Sequence, residues 1–201
     1  MKFPLIWLAS ASPRRHEILT SLSIPHDVLN LPPVAGDDEP QLPGEPPAAY
    51  VKRTAREKAQ RALDWLASPA GAHLEPRPVL AADTTVILEN EILGKPRDID
   101  EARDILTRLS GSEHEVRSAV VVATPQRLLE AISVTTVRFA VLSRSDIDAY
   151  CASGEPMDKA GAYGIQGLAG LFIEHISGSY SGVMGLPVYE TGRLLRRFSA
   201  E

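Results

Sequence analysis

The sequence predicts an α/β domain. Short apolar runs of strand length, amphipathic runs with helical spacing, and a steady alternation of the two along the chain carry that prediction. No internal repeat or low-complexity linker interrupts the alternation, so residues 1–201 read as one domain.

The elements follow in order. Leu5-Ile6-Trp7-Leu8-Ala9 is a short core strand. Ser12 then stands at an N-cap, with Pro13 at the first helical position, where its missing N–H costs nothing. His26 to Leu29 reads as a second strand. Residues 31–47 contain six prolines, Pro32, Pro33, Pro40, Pro43, Pro46 and Pro47, and no helix can run through them. A long helix follows, with Val51, Ala55, Ala59, Ala62, Leu63 and Leu66 on one face. After a loop over 68–78, Val79 to Ala82 and Thr85 to Leu88 are strand, with a turn near Asn90-Glu91. Asp98 and Glu101 have the spacing of a capping box for a helix ending at Gly111. Val116 to Ala123 and Ile132 to Val141 read as two long antiparallel strands. Ser143 and Asp146 form a second capping box, for a helix that Gly154 ends. Residues 154–170 are a glycine-rich loop, Leu171 to Ile176 a strand, and Pro187 to Phe198 a last helix.

Composition excludes several classes. Hydrophobic residues make up 44% and charged residues 23%, which suits a packed core and not disorder. The net charge of −5 argues against a protein that grips nucleic acid by its backbone. The single cysteine, Cys151, excludes an internal disulfide and a cysteine metal cluster, and its spacing reads as a small buried hydrophobe more than a nucleophile. The start imitates a signal peptide, but Phe3 to Ala9 is short, Pro4 interrupts it, and Arg14 and Arg15 follow at once. No window is long and apolar enough to span a bilayer, so the expected compartment is the cytoplasm.

Four constellations carry chemistry. Ser10-Ala11-Ser12-Pro13-Arg14-Arg15 lies at a strand-to-helix junction, where free N–H groups and the helix dipole favour an anion. The dipole disfavours cations there, so two arginines are easier to explain beside a bound phosphate. A solvated arginine pair next to an ordinary N-cap is an equal reading. Asp83 follows an apolar run in Ala81-Ala82-Asp83-Thr84-Thr85, at the expected exit of a strand. It can hold a hard cation, activate water, or merely form a turn. Lys58, Lys95 and Lys159 are point charges suited to phosphate, though most lysines are simply solvated. Finally, Ala160-Gly161-Ala162-Tyr163-Gly164-Ile165-Gln166-Gly167 allows close ligand approach, with Tyr163 able to stack on a base and Gln166 able to read one. A structural loop around a buried tyrosine is the alternative. Asp37, Asp38 and Glu39 are candidate metal ligands or a solvated acidic run. The histidines have no zinc spacing, and neither a P-loop nor a nucleophile elbow is present.

Together and in this order, the segments resemble the Maf family of nucleotide pyrophosphatases. They are Leu8 to Arg15, Ala55-Arg56-Glu57-Lys58-Ala59, Ala82-Asp83-Thr84, Gly94-Lys95-Pro96-Arg97, Gly154 through Gly167, and Gly182 to Pro187. The resemblance implies an elongated α/β fold, a mixed central sheet flanked by helices with a substrate cleft, often dimeric. It implies hydrolysis of a nucleoside triphosphate to the monophosphate and pyrophosphate with Mg2+ or Mn2+. By position, Asp83 matches the catalytic acid–base residue and a metal ligand, with Glu39 as the second acid. Arg14, Thr84 and Gln166 match specificity positions. Ser10, Arg15, Lys58 and Lys95 match phosphate-side residues, and Ser12 and Lys159 join the substrate-binding set. Thr84 and Gln166 resemble the branch acting on dTTP and UTP. The alternatives are the 7-methyl-GTP branch, another modified nucleotide, or a non-catalytic regulator of septum formation. No stable nucleic-acid or membrane partner is expected.

Overall fold

The computed structural model describes residues 3–33 and 39–199. Seven strands and six α-helices alternate along them: β1 (Ile6–Leu8), α1 (Pro13–Ser21), β2 (His26–Val28), α2 (Pro47–Ala67), β3 (Val79–Leu88), β4 (Glu91–Leu93), α3 (Ile99–Leu109), β5 (Glu113–Thr124), β6 (Arg127–Phe139), α4 (Arg144–Ala152), β7 (Ile173–Ser177), α5 (Tyr180–Val183) and α6 (Val188–Ser199). The strands form one mixed sheet in the order β2-β1-β3-β5-β6-β7, with β4 paired to β3. β1 runs parallel to β2 and β3, while β4 runs antiparallel to β3 and β7 to β6. This is the α/β class that the alternation predicts.

The chain divides into two compact units. The first comprises residues 1–83, 118–132 and 185–201, the second 84–117 and 133–184. In the first, α2 lays Val51, Ala55, Ala59 and Ala62 against Trp7, Val79, Ala81, Ala119 and Val121. The helix face that does this is built mostly of alanine, which lets backbone approach backbone closely. In the second, α3 contributes Ala102, Ile105, Leu106 and Leu109 to a core with Val86, Val116, Val137, Phe139, Tyr150 and Tyr163. Cys151 is 1% exposed in that core, in keeping with its reading as a buried hydrophobe.

Local chemistry explains the starts of α3 and α4. The Ser143–Asp146 capping box has both halves: Ser143 Oγ accepts from Asp146 N–H at 3.2 Å and Asp146 Oδ2 from Ser143 N–H at 2.9 Å. The expected box at Asp98 is only half made. Asp98 accepts from Glu101 N–H at 2.8 Å, but Glu101 turns to Arg97 N–H at 2.6 Å and Arg97 Nε at 2.9 Å. Arg97 offers one carboxylate oxygen both its backbone N–H and its charged Nε, and this pair of donors replaces the box's single neutral one. Ser12 is the N-cap of α1, yet its side chain makes no capping bond.

Other boundaries differ from expectation. β3 runs unbroken through Asp83-Thr84-Thr85, because two consecutive β-branched threonines extend a strand rather than turn it. Asp83 is therefore a mid-strand residue and not a strand exit. β6 starts five residues before Ile132, since the two-residue connection at 125–126 folds the chain back at once. The glycine-rich segment holds three 3-10 turns, at Glu155–Asp158, Ala160–Ala162 and Leu168–Phe172. The β7 strand begins at Ile173, and β4 and α5 have too few residues to leave a periodic signal.

Candidate active site

The first unit assembles a buried ionic cluster around Asp83. The strand alternation puts Val79, Ala81 and Asp83 on the face that α2 covers. Asp83 is 4% exposed. Its Oδ1 takes a bond from Lys58 Nζ at 2.7 Å and its Oδ2 one from Thr54 Oγ1 at 2.8 Å. Lys58 also pairs with Glu39, so both acids converge on one ammonium. Glu39 is itself located by Tyr50, whose hydroxyl donates to the Glu39 carbonyl at 3.0 Å.

Arg15 is the cluster's buried cation, 9% exposed, whereas Lys58 is half-buried. Its Nε donates to the Gly185 carbonyl at 2.8 Å and its Nη1 to Ser10 Oγ at 3.0 Å. The Ser10 hydroxyl also takes Ser12 N–H at 3.2 Å, so Ser10 ties the start of α1 to the arginine. Burial pulls the Arg15 pKa down, and the fields of Asp83 and Glu39 oppose that pull. Protein partners thus account for Arg15 at the first turn of α1, and the case for a bound anion there passes to half-buried Arg14.

Burial alone would raise the Asp83 pKa, but Lys58, Arg15 and the Thr54 bond outweigh it and hold the carboxyl below its usual range. Asp83 is an ionised acceptor at neutral pH. By Brønsted reasoning a carboxylate this acidic is a weak proton acceptor, better at orienting water than at stripping it.

The donor set fits a hard divalent cation. Two carboxylates already converge on one positive charge. Mg2+ is commonly held by one or two carboxylates together with water and substrate phosphate. The charge balance points the same way: Asp83 and Glu39 offset Lys58 and Arg15, so a triphosphate arriving here finds no spare positive charge among these four. Among the described residues no third histidine, cysteine or acid joins them. Asp37 and Asp38 lie outside the described residues.

The sequence thus anticipates Ser10, Arg15, Glu39, Lys58 and Asp83, and the structure brings these five together. It does not anticipate Thr54 and Tyr50. Thr54 and Lys58 are four residues apart on α2, the spacing that stacks side chains on one helix face, and that spacing was the available signal. Nothing local marks the Gly185 carbonyl.

The second unit holds the remaining candidates. Thr84 follows Asp83 on β3, so the pleat turns its side chain to the opposite face. Lys95 is exposed just after β4. Its segment is tied to the glycine-rich one, where Gly161 N–H donates to the Gly94 carbonyl at 3.0 Å. Lys159 Nζ donates to the Glu155 carbonyl at 2.5 Å and to Asp158 Oδ1 at 2.8 Å. Tyr163 is 5% exposed, packed edge-on to His114 and Phe139, so it is a core residue and does not offer its ring for stacking. Gln166 is exposed on a turn closed by Gly167 N–H to the Gly164 carbonyl at 3.0 Å.

The fold and the buried carboxylate–cation cluster define an α/β protein equipped to handle a phosphorylated ligand. The fold itself resembles the Ham1 protein of Staphylococcus aureus, with a TM-score of 0.51 over 98% of each chain at 12% identity. The chain belongs to the Maf-like protein family, whose pattern matches residues 5–198. It is 57% identical over 194 residues to the dTTP/UTP pyrophosphatase of Bordetella avium, covering 96% of this chain and 95% of that one. It is 52% identical over 198 residues to the dTTP/UTP pyrophosphatase of Chromobacterium violaceum, covering 98% and 96%. The corresponding protein of Yersinia pestis is 48% identical over 198 residues, covering 98% and 94%. No helix among the described residues is long and apolar enough to cross a membrane.

Proposed function

We propose that this chain hydrolyses dTTP and UTP to the monophosphate and pyrophosphate. The observation that carries the reading is Asp83, buried yet held ionised by Lys58, Arg15 and Thr54 on a Maf fold. The relatives named above carry the dTTP/UTP name, which favours this substrate pair over 7-methyl-GTP and over a role confined to septum formation.

In this reading Lys58 and Arg15 stabilise phosphate charge once a metal ion offsets Asp83 and Glu39, and Arg14, Lys95 and Lys159 add cations along the polyphosphate. Asp83 orients the attacking water toward the α-phosphorus, with Thr54 fixing the carboxylate plane. Glu39 and Asp83 would hold the Mg2+ or Mn2+ ion, which supplies charge neutralisation and a more acidic bound water. Gln166 reads the pyrimidine edge, an N3–H donor between two carbonyl acceptors, because an amide offers both a donor and an acceptor. A cytoplasmic location and a homodimer belong to the same reading, the dimer being checked by light scattering on the purified protein.

The test is product analysis over a nucleotide panel. With Mg2+ or Mn2+, UTP and dTTP should give equal amounts of monophosphate and pyrophosphate, and EDTA should stop turnover. Release of orthophosphate, or full activity under EDTA, would overturn the reading.

A further inference from the structure

Gln166 needs a fixed position if it is to choose between bases, and the structure shows what fixes it. The Gly164–Gly167 turn that carries Gln166 is held at one end by Glu155 directly and at the other by Glu155 through Tyr150. Glu155, half-buried, begins a 3-10 turn directly after Gly154, whose φ of +74° reverses the chain at the end of α4. Its Oε2 accepts the Leu168 N–H at 3.0 Å, immediately past the turn. Its Oε1 accepts the Tyr150 hydroxyl at 3.0 Å, and that hydroxyl oxygen in turn takes the Gly164 N–H at 3.4 Å, at the turn's start. The carboxylate also occupies the space beside Gly167: a Cβ built there would fall on it. Gly167 has an ordinary negative φ of −105°, so its backbone does not call for glycine and the neighbouring carboxylate does.

We propose that Glu155 is a positioning residue for base selection, its carboxylate fastening one end of the turn that presents Gln166 directly and the other through Tyr150. The proposal rests on the reading of Gln166 as the residue that meets the base. A Gln on a fixed turn presents its donor and acceptor at set points, matching uracil and mismatching cytosine, whose edge reverses two of the three groups. On a loosened turn the amide adapts to either base, and selectivity falls along with affinity.

The test is steady-state kinetics on UTP and CTP with Mg2+. Glu155→Ala should raise the UTP KM by about tenfold and erode the preference for UTP over CTP, with kcat within about threefold of the parent. Glu155→Gln should restore most of both, since its carbonyl can accept from Leu168 and its amide can donate to Tyr150. Gly167→Ala should reproduce the Glu155→Ala pattern by displacing the same carboxylate, and it replaces that variant if Glu155→Ala does not fold. In a Gln166→Ala background, Glu155→Ala should add nothing further. Multiplying losses in the double variant, or a fall in kcat at unchanged KM, would overturn the proposal alone. If Gln166→Ala itself leaves KM and base preference unchanged, the reading of Gln166 fails and takes the proposal with it.

Discussion

Asp83 keeps its charge while buried because each of its oxygens has a donor and two cations stand near it. Thr54 has one proton and three acceptors in range: Tyr50 O at 3.0 Å, Val51 O at 3.2 Å and Asp83 Oδ2 at 2.8 Å. The charged and nearest acceptor takes it. Asp83→Asn keeps the shape and removes the charge. Turnover should fall by ~10²–10⁴, while folding survives because Lys58 retains Glu39. Near-normal pyrophosphate release from a folded Asp83→Asn protein would remove Asp83 from the chemistry. Thr54→Val tests the orienting bond. It should cost about 1–3 kcal/mol of stability, and about tenfold in kcat if the carboxylate plane matters. A urea titration and kcat on the same preparation separate these two effects. An unchanged kcat would leave Thr54 with a packing role only.

At the scale of elements, the sequence makes long periodic segments legible and leaves short polar ones obscure. The face of α2 could be read because alanines and Val51 recur at helical spacing. The sequence puts Asp83 at a strand exit, whereas it stands in the middle of β3. A polar triplet inside a strand looks like a turn unless the ion pair that stabilises it is known, and Lys58 lies 25 residues earlier. The glycine-rich segment is obscure for another reason. Its 3-10 turns are set by glycines and by distant partners such as Gly94 and Glu155, which no local pattern encodes. Gly161 gives this a measurable form. Its φ is +69°, and an added Cβ would lie 2.8–3.0 Å from the Val86 side chain. Both the backbone and the space reject a side chain. Gly161→Ala should therefore lower stability by about 1–3 kcal/mol. A urea midpoint shift of that size would confirm it. An unshifted midpoint would mean that the segment repacks freely around Val86.

At the scale of the whole chain, the alternation of elements predicted the fold class but not the division into two compact units, because β3, β5 and β6 each contribute residues to both. One buried histidine offers a way to ask whether the chain nonetheless unfolds as one domain. His114 is 3% exposed in the second unit. Its Nε2 meets Tyr163 Oη at 2.8 Å, and its Nδ1 has no partner among the described residues. Burial pushes its pKa down from 6.5 to about 4. The folded state thus keeps His114 neutral where the unfolded chain would protonate it. As pH falls through 6.5 the unfolded state gains a proton first, and stability is lost until about pH 4, below which both states are protonated. Between pH 7 and pH 5 this one group should cost about 2 kcal/mol. His114→Phe removes that dependence, so its urea-unfolding free energy should change less over the same pH interval. Equal slopes for the two proteins would mean that water reaches His114. The probe decides the wider point. Both tryptophans, Trp7 and Trp65, lie in the first unit, whereas His114 lies in the second. If residues 1–201 behave as one cooperative domain, tryptophan fluorescence and far-UV circular dichroism should give superimposable unfolding curves at pH 5. A circular dichroism transition that precedes the fluorescence transition at pH 5, and merges with it in His114→Phe, would show that the second unit melts on its own.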